Sequence, residues 1–202
     1  MGIQADIKKK FELKRFPELK VLKIVLNAKV KNLPECVNLE HINIVNFPYE
    51  SFAEISSLTK LIRVQITSRK LSSTEGISKL PEIEELDFYD CKKLRSLDEL
   101  DKVEKLKFVQ FTNCTAINEL EVFEGAQNLE SIVIENCGEL RTIRYLQKCK
   151  NLKRLLLIGN TSIKDGDLSA IKSLSKLEDI RISEHKHYNM SREQIRKFRR
   201  DR

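Results

Sequence analysis

Apolar positions fall along this chain in blocks with a fixed internal spacing. Leu106, Val109 and Phe111 are written again as Leu129, Ile132 and Ile134, and the preceding block reads Ile83, Leu86 and Phe88. Traced outward, the block has eight copies opening at Leu19, Leu39, Leu61, Ile83, Leu106, Leu129, Leu152 and Leu177, with steps of 20, 22, 22, 23, 23, 23 and 25 residues. Within each copy positions one, four and six are apolar, and the alternation of the last two predicts a short strand. Downstream the apolar spacing becomes three, as in Leu94, Leu97, Leu100 and Val103 or in Phe52, Ile55 and Leu58, which suits a 3₁₀ turn or short helix behind the strand. In the last copy Asp167 is placed to cap a helix whose apolar face is Leu168, Ile171 and Leu174.

A module this short cannot bury its apolar face alone, so the copies must stack into a solenoid. The expected fold is α/β: a horseshoe with a concave parallel sheet of about eight strands, convex helical turns and helical caps at both ends. One domain, residues 1–202, divides into an N-terminal cap (1–18), eight repeats (19–184) and a C-terminal cap or tail (185–202). Ile3, Ile7, Phe11 and Leu13 recur at helical spacing among lysines in the first segment, and Ser191 with Gln194 forms a capping-box pair ahead of Ile195 and Phe198 in the last. Caps at both ends are what a whole repeat protein would carry.

The module L-x-x-L-x-L with Asn or Cys at position nine resembles the leucine-rich repeat family. Position nine is Asn27, Cys91, Cys114, Cys137 and Asn160 in five copies, and the resemblance runs from about Leu19 to Ile182. The step of 22 to 23 residues is similar to the class typified by the Sds22 phosphatase regulators and to many bacterial proteins, and Lys186-His187-Tyr188 looks like the end of some bacterial members. Three copies depart, with Phe47, Arg69 and His185 at position nine. A buried ladder site cannot hold an unpaired arginine, so the turn of the third repeat is expected to differ.

Register also assigns the cysteines. Cys91, Cys114 and Cys137 occupy the ladder position, and Cys36 and Cys149 each stand three residues before a strand-opening leucine. All five read as core thiols, with no C-x-x-C pair or Cys/His cluster for a metal and no cofactor implied. So many free thiols point to a reducing compartment, and with no signal-peptide pattern and no apolar run near the roughly 18 residues of a membrane span, the expectation is cytoplasmic. The net charge of +7 sits at the ends, +3 in residues 1–20 and +4 in residues 191–202, leaving the body neutral. Without a basic stripe along the repeats a nucleic-acid partner is disfavoured.

Function must come from the outward strand positions three, five, seven and eight, because the fold itself specifies no chemistry. Eight strands give a face of roughly 35 to 40 Å, a size for a protein partner. This face carries six acidic and four basic residues. Acidic groups gather at Glu85, Asp87 and Asp90, with apolar Tyr89, Phe108, Val133, Leu156 and Ile158 beside them and Gln110, Glu135 and Arg154 completing the candidate partner-binding set. Exposed aromatic and aliphatic groups bordered by charge are how interface hot spots are composed. A second apolar group, Val21, Val25, Leu26 and Val45, is expected to lie under the N-terminal cap. Six glycines form no phosphate loop, and no nucleophile, base and acid share a register, so an enzyme is not expected. The leading expectation is a non-catalytic scaffold for one protein partner. The bacterial resemblance implies an immunity-type inhibitor of a toxin, and the acidic face suits a basic toxin or enzyme. A phosphatase-type regulatory subunit, or attachment to nucleic acid or an anionic surface through the basic ends, is the alternative.

Overall fold

The structure is a computed structural model of the 202-residue chain, described at residues 2–6, 11–27 and 30–198. Among these, nine strands form one parallel sheet in strict sequence order: β1 (Gly2–Asp6), β2 (Val21–Val25), β3 (His41–Val45), β4 (Arg63–Thr67), β5 (Glu85–Tyr89), β6 (Phe108–Thr112), β7 (Ser131–Glu135), β8 (Arg154–Ile158) and β9 (Asp179–Ile182). Each strand pairs with the next without slip, so Val21, His41, Arg63, Glu85, Phe108, Ser131, Arg154 and Asp179 form one row across the sheet. Parallel neighbours require the chain to travel back between strands, and here the return limbs do so on the core side.

Alternation decides what each strand buries. Positions four and six point to the core, as in Leu86 and Phe88 or Ile132 and Ile134, and the opening residue of every repeat from Leu19 to Leu177 is buried with them. Opposite the strands, each return limb holds one 3₁₀ turn: Leu33–Glu35, Ala53–Ile55, Ile77–Lys79, Leu100–Lys102, Glu121–Glu124, Arg144–Lys148 and Ser169–Ser173 follow successive strands. The period of three in the apolar pattern is that of a 3₁₀ helix, and no return limb among the described residues is α-helical. Asp167 is therefore not a helix cap: it stands one residue before Leu168, the N-cap of a 3₁₀ turn, and its Oδ1 accepts from the Ser169 N–H at 2.9 Å, with Leu168, Ile171 and Leu174 buried. Phe47, Phe52, Phe88 and Phe111 pack in series through the interior, the last pair stacked with centroids 5.3 Å apart.

The ladder beneath the turns departs from the expected register in three repeats. Cys91, Cys114 and Cys137 are buried, and their thiols donate to Ile66 O, Phe88 O and Phe111 O at 3.7, 3.5 and 3.5 Å. In the third repeat the site belongs to Ser68, not Arg69. Ser68 Oγ donates to Phe47 O at 2.8 Å and accepts from the Lys70 and Leu71 N–H groups at 3.0 Å, while Arg69 is exposed. In the seventh repeat Thr161 replaces the expected Asn160: its Oγ1 donates to Ile134 O at 3.3 Å and accepts from the Cys137 N–H at 3.2 Å. In the first repeat Leu26 is buried and Asn27 exposed. One residue gained or lost in a turn moves the small buried side chain without disturbing the strands, because the ladder needs only a compact group facing the preceding carbonyl.

The ends also correct the expectation. The N-terminal segment is not a helix: Gly2–Asp6 pairs in parallel with Val21–Val25 as a ninth strand, Phe11–Glu12 pairs with Val30–Lys31, and Ile7 lies outside the described residues. A strand beside β2 extends the sheet and does not cover its outer side, so Val25 stays 40% exposed. At the other end Arg192–Arg196 forms a short α-helix, α1, opened by the reciprocal Ser191 and Gln194 capping box, with Ile195 buried and Phe198 against the core. Ahead of it His187 Nε2 lies 2.8 Å from Ile163 O, the Ile163 N–H donates to Tyr188 Oη at 2.9 Å, and Asn189 Oδ1 accepts from the Leu168 N–H at 2.9 Å.

Candidate protein-binding face

Two rows of polar residues that look like free surface belong to the scaffold. At position two Lys20 pairs with Glu40, Lys107 with Glu84 and Lys153 with Glu130, at 2.7, 2.9 and 2.7 Å. One residue before each repeat, Asn38, Asn128 and Asn151 donate to Pro17 O, Glu104 O and Gln127 O at 2.8 to 2.9 Å. Such exposed pairs contribute little each, but they use up the charge along one rim. Position eight is scaffold as well. Asn46, Asp90, Asn113, Asn136 and Gly159 all have φ between 51° and 69°, the left-handed turn conformation that Asn, Asp and Gly tolerate best. Asp90, one of the expected partner-binding residues, is such a turn residue, and its Oδ1 accepts from Asn113 Nδ2 at 3.0 Å.

Positions three, five and seven therefore make the open face of the sheet. Most of the expected residues are brought together here. Glu85, Asp87 and Tyr89 lie on β5, Phe108 and Gln110 on β6, Val133 and Glu135 on β7, and Arg154, Leu156 and Ile158 on β8. Tyr89, Phe108 and Ile158 are partly buried, offering aromatic and aliphatic surface to solvent. Val133 and Leu156 are not exposed as expected: they retain 6% and 4% of their surface although they stand outside the core cluster. They are neighbours in register, flanked by Gln110 and Arg181, and strands about 4.8 Å apart let such neighbours close over two branched aliphatic side chains. These two form the floor of the face.

The charged groups of the face divide into paired and unpaired. Arg63 grips Glu85 through Nε and Nη2, both contacts at 2.6 Å. Asp179 stands 3.3 Å from Arg154 and 3.4 Å from Arg181. Asp87 and Glu135 have no ion-pair partner among the described residues. Burial, reinforced by Glu85, pushes the Asp87 carboxyl up to about 6, against the weaker pull of Arg63. Both carboxylates act on Tyr89: burial, then Asp87 and Glu135, hold its hydroxyl above the usual phenol range, and its oxygen accepts from Gln110 Nε2 at 3.2 Å.

All five cysteines are free and buried, as register requires. Burial pushes Cys36 and Cys149 up to about 11, which keeps them as unreactive thiols. Among the described residues no group of three or more His, Cys, Asp or Glu could hold a metal ion, and the Nε2 of His187 is turned to a backbone carbonyl. No helix is long and apolar enough to cross a membrane. A feature that the sequence reading left unassigned lies at the other end of the face, a hollow of ≈ 290 Å³ over β2 to β4 whose lining includes Lys23, His41, Arg63 and Gln65. Only the register places these residues side by side.

Residues 66–164 match six copies of the BspA type leucine-rich repeat region. No curated protein matches the chain in sequence. Among solved structures, internalin C2 of Listeria monocytogenes is similar over 87% of this chain and 77% of its own, at 18% identity and a TM-score of 0.64. The functional domain of InlJ from the same organism, described as including a cysteine ladder, matches 89% of this chain at 16% identity and a TM-score of 0.53. The mouse RP105/MD-1 complex matches 85% at 16% identity and 0.61. This chain spans 43% and 32% of the length of those last two chains. At such identities the likeness is one of fold. With nine strands in unbroken register, a buried ladder under the turns and six matched repeat copies in residues 66–164, this chain has the fold of a leucine-rich repeat solenoid.

Proposed function

We propose that this protein is a non-catalytic interaction scaffold whose open sheet face binds one protein partner, and that the partner presents cationic side chains to it. Leucine-rich repeat proteins bind protein partners, as in the mouse RP105/MD-1 complex, and repeat solenoids use their extended strand faces for this purpose. The observation that carries the reading is the division of charge on the face. Glu85 and Asp179 have their arginines, while Asp87 and Glu135, both of which act on the Tyr89 hydroxyl, have no ion-pair partner among the described residues. A partly desolvated carboxylate without a counter-ion costs free energy that a lysine or arginine from a partner would return. Tyr89, Phe108 and Ile158 supply the apolar surface around that charge, the composition of a binding hot spot.

In its most specific form, the partner is a basic toxin, and the scaffold is its inhibitor inside a reducing compartment, where five free thiols persist. Charge complementarity would speed the capture of such a partner. The test compares partner recovery from the source cell by the wild-type chain and by an Asp87→Lys, Tyr89→Ala double variant, at low and moderate salt. Loss of one basic protein with the variant, and weaker recovery at higher salt, is the expected result. Equal recovery of the same protein by both would sink the reading, and loss only on removal of residues 191–202 would favour attachment through the basic end.

A further inference from the structure

The end of the open face over β2 to β4 has chemistry opposite to that around Asp87. Unslipped register sets Val21, His41 and Arg63 in one row and Lys23, Asn43 and Gln65 in another. These rows line the ≈ 290 Å³ hollow. Three strands span about 10 Å and two positions along a strand about 7 Å, so the polar tips of these side chains come within reach of a single small group.

The polar part of the lining is rich in donors, set beside Val21, Leu22 and Ile42. Lys23 is exposed and has no partner among the described residues. Arg63 gives Nε and Nη2 to Glu85, which fixes the plane of its guanidinium and leaves further N–H groups unspent. Asn43 Nδ2 donates to Gln65 Oε1 at 2.6 Å, which occupies the glutamine's acceptor and leaves its Nε2 to donate outward. His41 Nδ1 is buried with no hydrogen-bond partner, an uncommon state for a buried polar atom. Among the described residues no carboxylate lines the hollow.

We infer that this hollow is an oxyanion site, taking a phosphoryl or carboxylate group with Lys23 and Arg63 supplying charge and Gln65 supplying a hydrogen bond. The inference does not depend on the proposed function, since it concerns other strands and a ligand of opposite charge. Part of the Arg63 charge is spent on Glu85, and Asp87 acts on Arg63 from the same side. Binding of a simple anion is therefore weak, and removal of the Asp87 charge strengthens it.

The experiment is a two-dimensional amide NMR titration of the full chain with inorganic phosphate and, separately, with acetate, at constant ionic strength held by chloride. Saturable shifts centred on Lys23, His41, Asn43 and the side-chain amide of Gln65 are expected. They should vanish in Lys23→Glu and saturate at several-fold lower anion concentration in Asp87→Asn. Tighter binding of phosphate than of acetate assigns the site to a phosphoryl group, and the reverse order assigns it to a carboxylate. Shifts that do not saturate, that persist unchanged in Lys23→Glu, or that centre on the basic C-terminal segment would overturn the inference. None of those results bears on the partner reading, which is decided by the Asp87 and Tyr89 variant.

Discussion

Asp87 is the side chain whose ionisation costs this protein most visibly. Its folded carboxyl titrates at about 6 against an ordinary 3.8, so between these values the folded chain holds a proton that the unfolded chain has released. The stability this lends is complete below about pH 4 and is lost as the pH rises through about 6. Asp87→Asn should therefore raise the melting temperature at pH 7 to 8. After a discount for partial exposure the gain is about 1 kcal/mol, or about 3 °C for a chain of this size. Because Glu40, Glu99 and Asp167 are shifted downward by their hydrogen-bond partners and pull the other way in acid, the measurement is the difference between variant and wild type across pH 4 to 8. A flat difference would show that Asp87 is solvated as well as an ordinary carboxylate. None of this was legible in the sequence, where Asp87 was one of three neighbouring acids; pairing separated them, giving Glu85 to Arg63, Asp90 to the turn and leaving Asp87 alone.

At the scale of the element, the turn ladder tolerates more chemistry than a consensus suggests. Ser68, Cys91, Cys114, Cys137 and Thr161 each present one compact donor to a carbonyl of the preceding repeat. Ser68→Ala should cost about 1–3 kcal/mol, because it strands the Phe47 carbonyl and removes the acceptor of two N–H groups. Ser68→Cys should recover much of that loss, and denaturant titration of the pair is the check; equal destabilisation by both would mean that the hydroxyl acts as an acceptor only. The apolar spacing exposed the strands, the 3₁₀ turns and the mismatch at Arg69. It could not show that the ladder residue moves to Ser68 in one turn and Thr161 in another, since both turns keep the same strand register.

For the whole molecule, stability is expected to vary along the stack, because each repeat rests only on its neighbours. The C-terminal end is held by His187, Tyr188 and Asn189, whose side chains meet backbone groups of Ile163 and Leu168. Tyr188→Phe with Asn189→Ala should speed amide hydrogen exchange at Ile163 and Leu168 and leave Leu86 and Phe111 unchanged. Uniform acceleration along the chain would instead show that the stack unfolds as one unit.

The sequence by itself determined the solenoid, its eight modules, the inward set of apolar residues and the burial of all five thiols, because a strict local period leaves one way to bury each face. Tertiary structure alone decided the rest. Gly2–Asp6 has too little internal pattern to declare itself a strand, and became one through pairing with β2. Val133 and Leu156 point outward as alternation demands, and only their neighbours across the sheet bury them. The same is true of function. Which carboxylates keep a counter-ion, and which donors share the hollow over β2 to β4, depends on contacts between residues about 20 positions apart, brought side by side by the stacking of one repeat on the next.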